Sequence, residues 1–374
     1  MNSLLLFQID RNGALTLHQQ IRQQITWKIV SGAISVGEKL PPIRTLADQL
    51  GVSLHTVRHA YQQLEAEGLV ETRQGFGTKV IPFQLSDLIN SQDMIRSHTV
   101  GVIVPSWENP FYHAFLRGAE EIAQLGQILF FLCLTHDDPV IACRIIGSLM
   151  AKGVDGILIV SHDLSSILDL PLESAPFSDF PLVSVDAPGN EGYAVHLDLE
   201  GAGYQATQHL IELGHKRIAL ITHSQDFENV VPINAGYRRA LDEAGIRIDQ
   251  NLICGVPGFD DSAGEHAARR LLNHGLHPSA IFAITDLMAL GAMQAIHDTG
   301  LRIPDDISVV GFNDIPKAEL VNPPLTTVAA PSYALGQAAM KMLQQLIDGE
   351  KPTQREIILP TSLIIRHSTA KYTR

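Results

Sequence analysis

From Thr99 onward the chain repeats one pattern: a short run of consecutive apolar residues, then a segment with helical periodicity. The runs are Val100–Val104, Gln127–Leu132, Gly156–Val160, Leu182–Val185, Arg217–Ile221, Ala280–Ile284 and Ile307–Phe312. Helical segments such as Ala202–Leu213, Gly236–Ala244 and Met288–Thr299 separate most of them. A strand that is apolar at every position has both faces buried, as in a parallel sheet covered by helices on both sides. A single core stops growing near about 250–300 residues. The expectation is therefore a two-lobed, doubly wound α/β body over residues 99–374, with lobe 1 at about 99–198 and 303–332 and lobe 2 at about 199–302 and 333–368.

The first 81 residues follow a different rule. Leu17, Ile21, Ile25 and Ile29 recur every fourth residue up to Ser31-Gly32, as one stripe of a helix. Pro41-Pro42 breaks the chain, and a short second helix carries Leu46, Ala47 and Leu50, with Gly51 beyond its end. Ser53 is a good N-cap for a third helix with an apolar stripe of Val57, Ala60, Tyr61 and Leu64. Two strand-like stretches, 69–73 and 78–81, flank a Gln74-Gly75-Phe76-Gly77 tip. Three helices and a two-stranded wing make a winged helix-turn-helix, whose third helix fits the DNA major groove. Its outward face carries Leu54 with His55, Arg58, His59 and Gln62, and the last four offer the hydrogen-bonding groups that base and phosphate contacts need. Any surface helix has a polar face, and a three-helix head can also bind protein, so the pattern alone leaves both readings open.

Charge divides the same way. The net charge is −13, yet residues 1–81 carry eight Lys/Arg against six Asp/Glu. A mildly basic head on an acidic body suits a polyanion-binding module joined to something that avoids polyanions. Residues 82–98 read as a linker, with Asp87 and Asp93 against Arg96 alone. No apolar run is long enough to span a bilayer, the N-terminal apolar stretch is too short for a signal peptide, and three cysteines without a C-x-x-C suggest neither a disulfide framework nor a zinc site. The expectation is a cytoplasmic protein without membrane association, metal or cofactor.

Several segments carry a specific resemblance. Glu38–Ala47 (EKLPPIRTLA), Leu50–Arg58, Leu64–Val70 and Arg73–Thr78 occur in order and resemble the GntR-type winged helix. The resemblance implies that Arg44, Ser53, Thr56 and Arg58 contact DNA, with Gln74 and Gly75 at the wing. Leu54 and His55 face the same groove, and Leu54 stands where many members have a base-reading Arg. The body resembles the LacI-type effector domain, itself similar to periplasmic sugar-binding proteins. The matching segments include Val100–Pro105 with Asn109-Pro110-Phe111-Tyr112, Gly153–Ile159, Val183–Asp186, His209–Ile218, Thr285–Gly291 and Ile303–Asp314. This implies two lobes crossed three times by the chain, a small-molecule cleft between them and a homodimer.

The cleft can also be placed by a general rule, since ligands of doubly wound sheets sit beyond the carboxyl ends of strands. Trp107, Asn109, Phe111, His162, Asp163, Asp186, Thr222, His223 and Asp286 occupy such ends. Carboxylates accept hydrogen bonds from sugar hydroxyls and aromatic faces cover apolar sugar faces. Trp107 is a candidate ligand residue by that rule, and the resemblance implies that Phe111, Asp186 and Asp286 occupy ligand-contacting positions, with Phe259 on the second lobe. Asp286 could equally cap the helix that follows it. Family members usually carry an Arg three residues before Gly236-Tyr237, where this chain has Ile233, leaving Asn229 and Asn234 as nearby polar groups.

Other signals lose on context. Gly201-x-Gly203-x-x-Ala206 fits a nucleotide fingerprint but does not directly follow a strand, and reads as helix packing. His209 and His215 are separated by a helix-ending Gly214, so they share no metal-binding face. The expected function is a ligand-responsive bacterial transcriptional repressor that is not an enzyme. It would bind a palindromic operator on double-stranded DNA as a dimer and sense a sugar or related metabolite. The alternatives are a solute-binding protein, or an aminotransferase-like enzyme fused to a DNA-binding head.

Overall fold

The computed structural model describes residues 7, 9, 11, 16–30, 33–73, 75–82, 97–162, 164, 167, 180–187, 192–273 and 276–373. Gln74, Asp163 and most of the 82–98 linker lie outside the described residues. Packing divides the chain into two compact units, one of residues 1–103, 128–157 and 165–182, the other of 104–127, 158–164 and 183–374.

The first unit contains the helical head: α1 (Leu17–Val30), α2 (Ile43–Leu50), α3 (Leu54–Ala66), and the wing strands β1 (Val70–Arg73) and β2 (Gly77–Val80). The predicted stripes form its core, with Ile21, Ile25, Leu46, Val57 and Leu64 sealed from solvent. Burying a side chain of this size contributes roughly 1.5–3 kcal/mol. Gly51 ends α2 in the left-handed conformation at φ 61°, which only a residue without a Cβ adopts freely. The wing is antiparallel, with Val70 opposite Val80 and Arg73 opposite Gly77. Tyr61 ties α3 to the turn before α2 by donating its hydroxyl hydrogen to Pro41 O at 2.7 Å. Within the same unit, Gln23 Nε2 of α1 donates to Lys152 O at 2.7 Å.

The body contains two six-stranded sheets. Its elements run β3 (Thr99–Val104), α4 (Pro110–Leu125), β4 (Leu129–Leu134), α5 (Pro139–Ala151), β5 (Gly156–Val160), β6 (Leu182–Val185) and β7 (Tyr193–Leu197). Next come α6 (Leu199–Glu212), β8 (Ile218–His223), α7 (Val230–Glu243), β9 (Ile253–Val256), α8 (Asp261–Asn273), β10 (Ala280–Ala283) and α9 (Asp286–Asp298). The chain ends with β11 (Ser308–Asn313), α10 (Pro316–Leu320), β12 (Thr326–Ala329), α11 (Ser332–Ile347), β13 (Glu356–Leu359) and β14 (Ser362–Ile364). Strand order is β13-β7-β6-β5-β3-β4 in one sheet and β14-β12-β11-β10-β8-β9 in the other.

This order corrects the expected lobe boundaries. β11 pairs in parallel with β10, and β12 with β11, so residues 303–332 belong to the second lobe rather than the first. Conversely, α11 packs on α4 and β13 pairs with β7, so most of 333–359 belongs to the first lobe. An apolar strand suits either sheet equally well, and only the path of the crossovers decides which one it joins. The chain passes between the sheets three times, after β7, β12 and β13. β4 begins two residues later than expected, after a turn in which Gln127 has φ 55°. Strands β7, β9, β12, β13 and β14 were not anticipated; they are only three to five residues long.

Three helix pairs in the second unit are built on one device. A Cβ on Gly203 would collide with Ile233 O, and one on Gly236 with Glu200 O, so α6 and α7 approach backbone to backbone. Gly118 and Gly336 serve α4 and α11 in the same way, and Gly264 and Gly291 serve α8 and α9. Gly203 of the G-x-G-x-x-A segment is therefore a helix-packing residue. His209 Nε2 pairs with Thr369 Oγ1 at 3.0 Å, and the His215 ring lies between Ser279 Oγ and Ala370 O at 3.0 and 3.1 Å, so both histidines are hydrogen-bonded parts of the core.

Candidate functional site

The first candidate surface is α3. Ser53 Oγ accepts from Thr56 N at 3.1 Å and lies 2.8 Å from Thr56 Oγ1, so the hydroxyl pair expected at the helix start also caps it. Val57, Ala60, Tyr61 and Leu64 face inward, which leaves Leu54, His55, Arg58, His59 and Gln62 exposed on the opposite side. Arg44, in the first turn of α2, is also exposed. At the wing tip Gly75 has φ 82°, and Phe76 beside it is 73% exposed. Gln74 cannot be placed, being outside the described residues.

The second candidate is a cleft of about 410 Å³, counting its open mouth, that lies wholly within the second unit. Three of the five expected ligand residues line it: Phe111, Asp186 and Phe259. Phe111 sits on the first turn of α4, where Asn109 Oδ1 accepts from its N–H at 3.0 Å. Asp186 follows β6 with φ 66°, a left-handed conformation that Asp tolerates better than most side chains and that recurs at binding sites. Its carboxyl is pushed up to about 7 by burial, an effect opposed by the Asn229 amide and by His196. Asn229, from the segment leading into α7, donates Nδ2 toward His162 Nδ1 at 2.7 Å and Asp186 Oδ2 at 3.5 Å. Its Oδ1 is buried and has no hydrogen-bond partner among the described residues.

Aromatic rings close one side. His162 lies against Phe259 with ring centroids 4.5 Å apart, Phe259 stacks on His223 at 4.7 Å, and His223 stacks on Phe227 at 4.6 Å. Ile233, where the resemblance led one to look for an Arg, lines the cleft as an apolar wall. Asn234 is directed elsewhere, accepting from Thr222 Oγ1 at 2.9 Å.

The other two expected residues lie outside the lining. Trp107 is 53% exposed and rests against His113, with ring centroids 5.0 Å apart. Asp286 is fully buried, accepting from Thr327 Oγ1 at 2.6 Å and from Ile315 N at 2.8 Å. Burial pushes its carboxyl up to about 6 against those two hydrogen bonds. Asp286 is not the helix cap either, because Thr285 Oγ1 accepts from Met288 N at 3.1 Å. A carboxylate at a strand end can turn toward the cleft or back into the sheet, and here Thr327 and the Ile315 N–H draw it inward. Gly311 leaves the room, since a Cβ there would strike Asp286 Oδ1.

Tyr112, Leu199, Thr285, Phe312 and Asn313 also line the cleft and were not anticipated. The strand-end rule could have found Asn313, the last residue of β11. Leu199 carries no chemical signal, and only the return of the chain brings it there.

Residues 17–80 match the family described as bacterial regulatory proteins, gntR family, and residues 207–369 match the periplasmic binding protein-like domain. The transcriptional regulator DegA of Bacillus subtilis is 34% identical over 280 residues, 74% of this chain and 82% of its own length. The transcriptional repressor PurR of Histophilus somni is 32% identical over 87% of this chain and 98% of its own. A LacI family transcriptional regulator from Enterococcus faecium, solved with bound ribose, is 30% identical with a TM-score of 0.66 and covers 74% of this chain and all of its own. The chain thus belongs to the LacI-type family of ligand-responsive transcriptional regulators, carrying a GntR-family winged helix as its DNA-binding head.

Proposed function

We propose that this regulator is a repressor that binds a palindromic operator as a homodimer and changes its hold on that operator when a sugar-like molecule fills the cleft. The observation that carries the reading is the pairing of two features in one chain. One is a capped recognition helix with Arg58 outward, and the other is a cleft that combines a buried carboxylate with aromatic rings. The relatives are regulators, and one of them holds ribose, which supports a sugar-sized effector and a protein without enzymatic activity. Arg44, Ser53, Thr56, Arg58 and Gly75 are the proposed DNA contacts, joined by Leu54, His55 and Gln74; Phe111, Asp186 and Phe259 are the proposed ligand contacts.

The dimer has a surface to use. β4 is an edge strand, and Leu129 and Phe131 on it are 74% and 48% exposed. Proteins rarely leave an edge strand both apolar and uncovered. No described helix is long and apolar enough to cross a membrane, and a repressor acts beside the chromosome in the cytoplasm.

The test selects bound duplexes from a random pool with the full-length protein, then titrates a panel of pentoses and hexoses against the selected duplex by fluorescence anisotropy. A palindromic consensus and a sugar-dependent change in affinity are expected. Absence of any selected sequence would overturn the reading.

A further inference from the structure

The polar atoms of the cleft are unequally occupied. Asn109 Oδ1 caps α4, and Thr285 Oγ1 caps α9 while donating to Phe259 O at 3.0 Å. The Asn229 amide nitrogen is committed to His162 and Asp186. Among the buried polar groups, what remains is the Asn229 Oδ1, without a partner among the described residues and on a residue only 7% exposed, and near it the Asp186 carboxyl, on a residue 8% exposed; the Asn313 amide also lines the cleft but is only half-buried. Asn229 Oδ1 is an acceptor, and so is the Asp186 carboxyl once ionised, and an unmade hydrogen bond at such depth is costly. Among the described residues that line the cleft there is no Lys or Arg, and Ile233 adds only an apolar wall.

A pole of acceptors without a cation disfavours an anionic ligand, whose charge would meet the carboxylate in a desolvated space. A hydroxyl supplies one donor. An ammonium supplies three, and it neutralises the carboxylate as well. The rings of Phe111, Tyr112 and Phe259 add faces that attract a cation and cover the apolar side of a sugar ring.

We propose that the effector is an amine-bearing, sugar-sized molecule whose ammonium sits between Asn229 Oδ1 and the Asp186 carboxylate, and that phosphorylated sugars are excluded. This rests on the sugar-sensing reading above and narrows it. The swap of one oxygen for nitrogen on the ligand isolates the claim, because ring size and stacking stay the same.

Isothermal titration of the full-length protein with pentose and hexose scaffolds tests it, each scaffold supplied as parent sugar, amino sugar, N-acetylamino sugar and sugar phosphate. On the scaffold that fits, the amino sugar is expected to bind at least tenfold tighter than the parent and N-acetyl forms, with no binding of the phosphate. Asp186→Asn should cost the amino sugar at least tenfold more affinity than it costs the parent sugar. Asn229→Leu, which alters a different segment, should weaken the amino sugar too, so the proposal does not depend on one variant folding. Parent sugar or phosphate binding as tightly as the amine overturns the proposal, and if that ligand still changes operator affinity the sugar-sensor reading stands without it. If no form of any scaffold binds, both fall.

Discussion

The head and the cleft put the same kinds of side chain to opposite use. On α3 the proposed DNA-contacting groups stand in solvent, opposite a stripe buried against α1 and α2, and most of them come from one helix of 13 residues. In the cleft, Phe111, Asp186, Asn229 and Phe259 come from four separate segments and are largely withdrawn from water. An exposed site can be altered without disturbing the fold that carries it. A buried site shares its atoms with the packing around it, so function and stability are linked there.

The largest effect should come from breaking the head beneath its site. Leu64 is fully buried in the head core, and Leu64→Ala should cost about 2–5 kcal/mol. Operator binding should disappear while effector binding in the second unit persists. Retained operator affinity at the growth temperature would show that the head does not depend on this stripe.

In the body the comparable lesion is polar. Asp286→Ala leaves the Thr327 hydroxyl and the Ile315 N–H without their shared acceptor, and each unpaired buried group costs about 1–3 kcal/mol. The body's melting temperature should fall, and effector affinity measured well below it should be near wild type, since the side chain does not line the cleft. A native melt with a tenfold loss of effector affinity would return Asp286 to the ligand site.

Arg58→Ala should weaken specific operator binding by about 1–3 kcal/mol and leave the melt unchanged, because the side chain is exposed. A gel shift showing equal affinity would sink the major-groove assignment for α3.

The smallest expected effect joins stability to function in the cleft. Asp186 has its carboxyl pushed up to about 7 by burial, so the folded chain keeps a proton that the unfolded chain releases near pH 4. Stability at this site therefore falls as pH rises from about 4 to about 7 and stays low above that range. Asp186→Asn cannot titrate. Without ligand it should be more stable than wild type at pH 8, with the gap closing as pH falls toward 4. Thermal melts across that range check it, and a gap that is constant or of opposite sign would refute it. The same substitution that is expected to impair recognition of an amine should thus stabilise the empty protein, a trade common at binding sites.

Much of this molecule could be read from its amino acids, and the limit follows the same division. The head was legible to within a residue or two, because helix stripes, the Ser53 cap and the Gly51 stop act over three or four residues. The class of the body was legible too, since runs such as Val100–Val104 and Gly156–Val160 allow only strands buried on both faces. Phe111 and Asp186, reached by the strand-end rule together with the resemblance, and Phe259, reached by the resemblance, line the cleft. The same rule also pointed to Trp107 and Asp286, because it locates a backbone position and says nothing about which way a side chain turns.

What the sequence determined alone was what neighbours in the chain set: the helices and wing of the head, the longer apolar strands of the body, the Ser53 cap and the exposed face of α3. Tertiary structure alone decided which sheet β11, β12 and β13 joined, and that Asp286 pairs with Thr327, 41 residues away. It also brought the Asn229 amide nitrogen toward Asp186 and left Asn229 Oδ1 buried without a partner among the described residues. The reason is physical: a strand or a carboxylate is satisfied by any partner of the right chemistry, and only the path of the chain in space determines which partner is within reach.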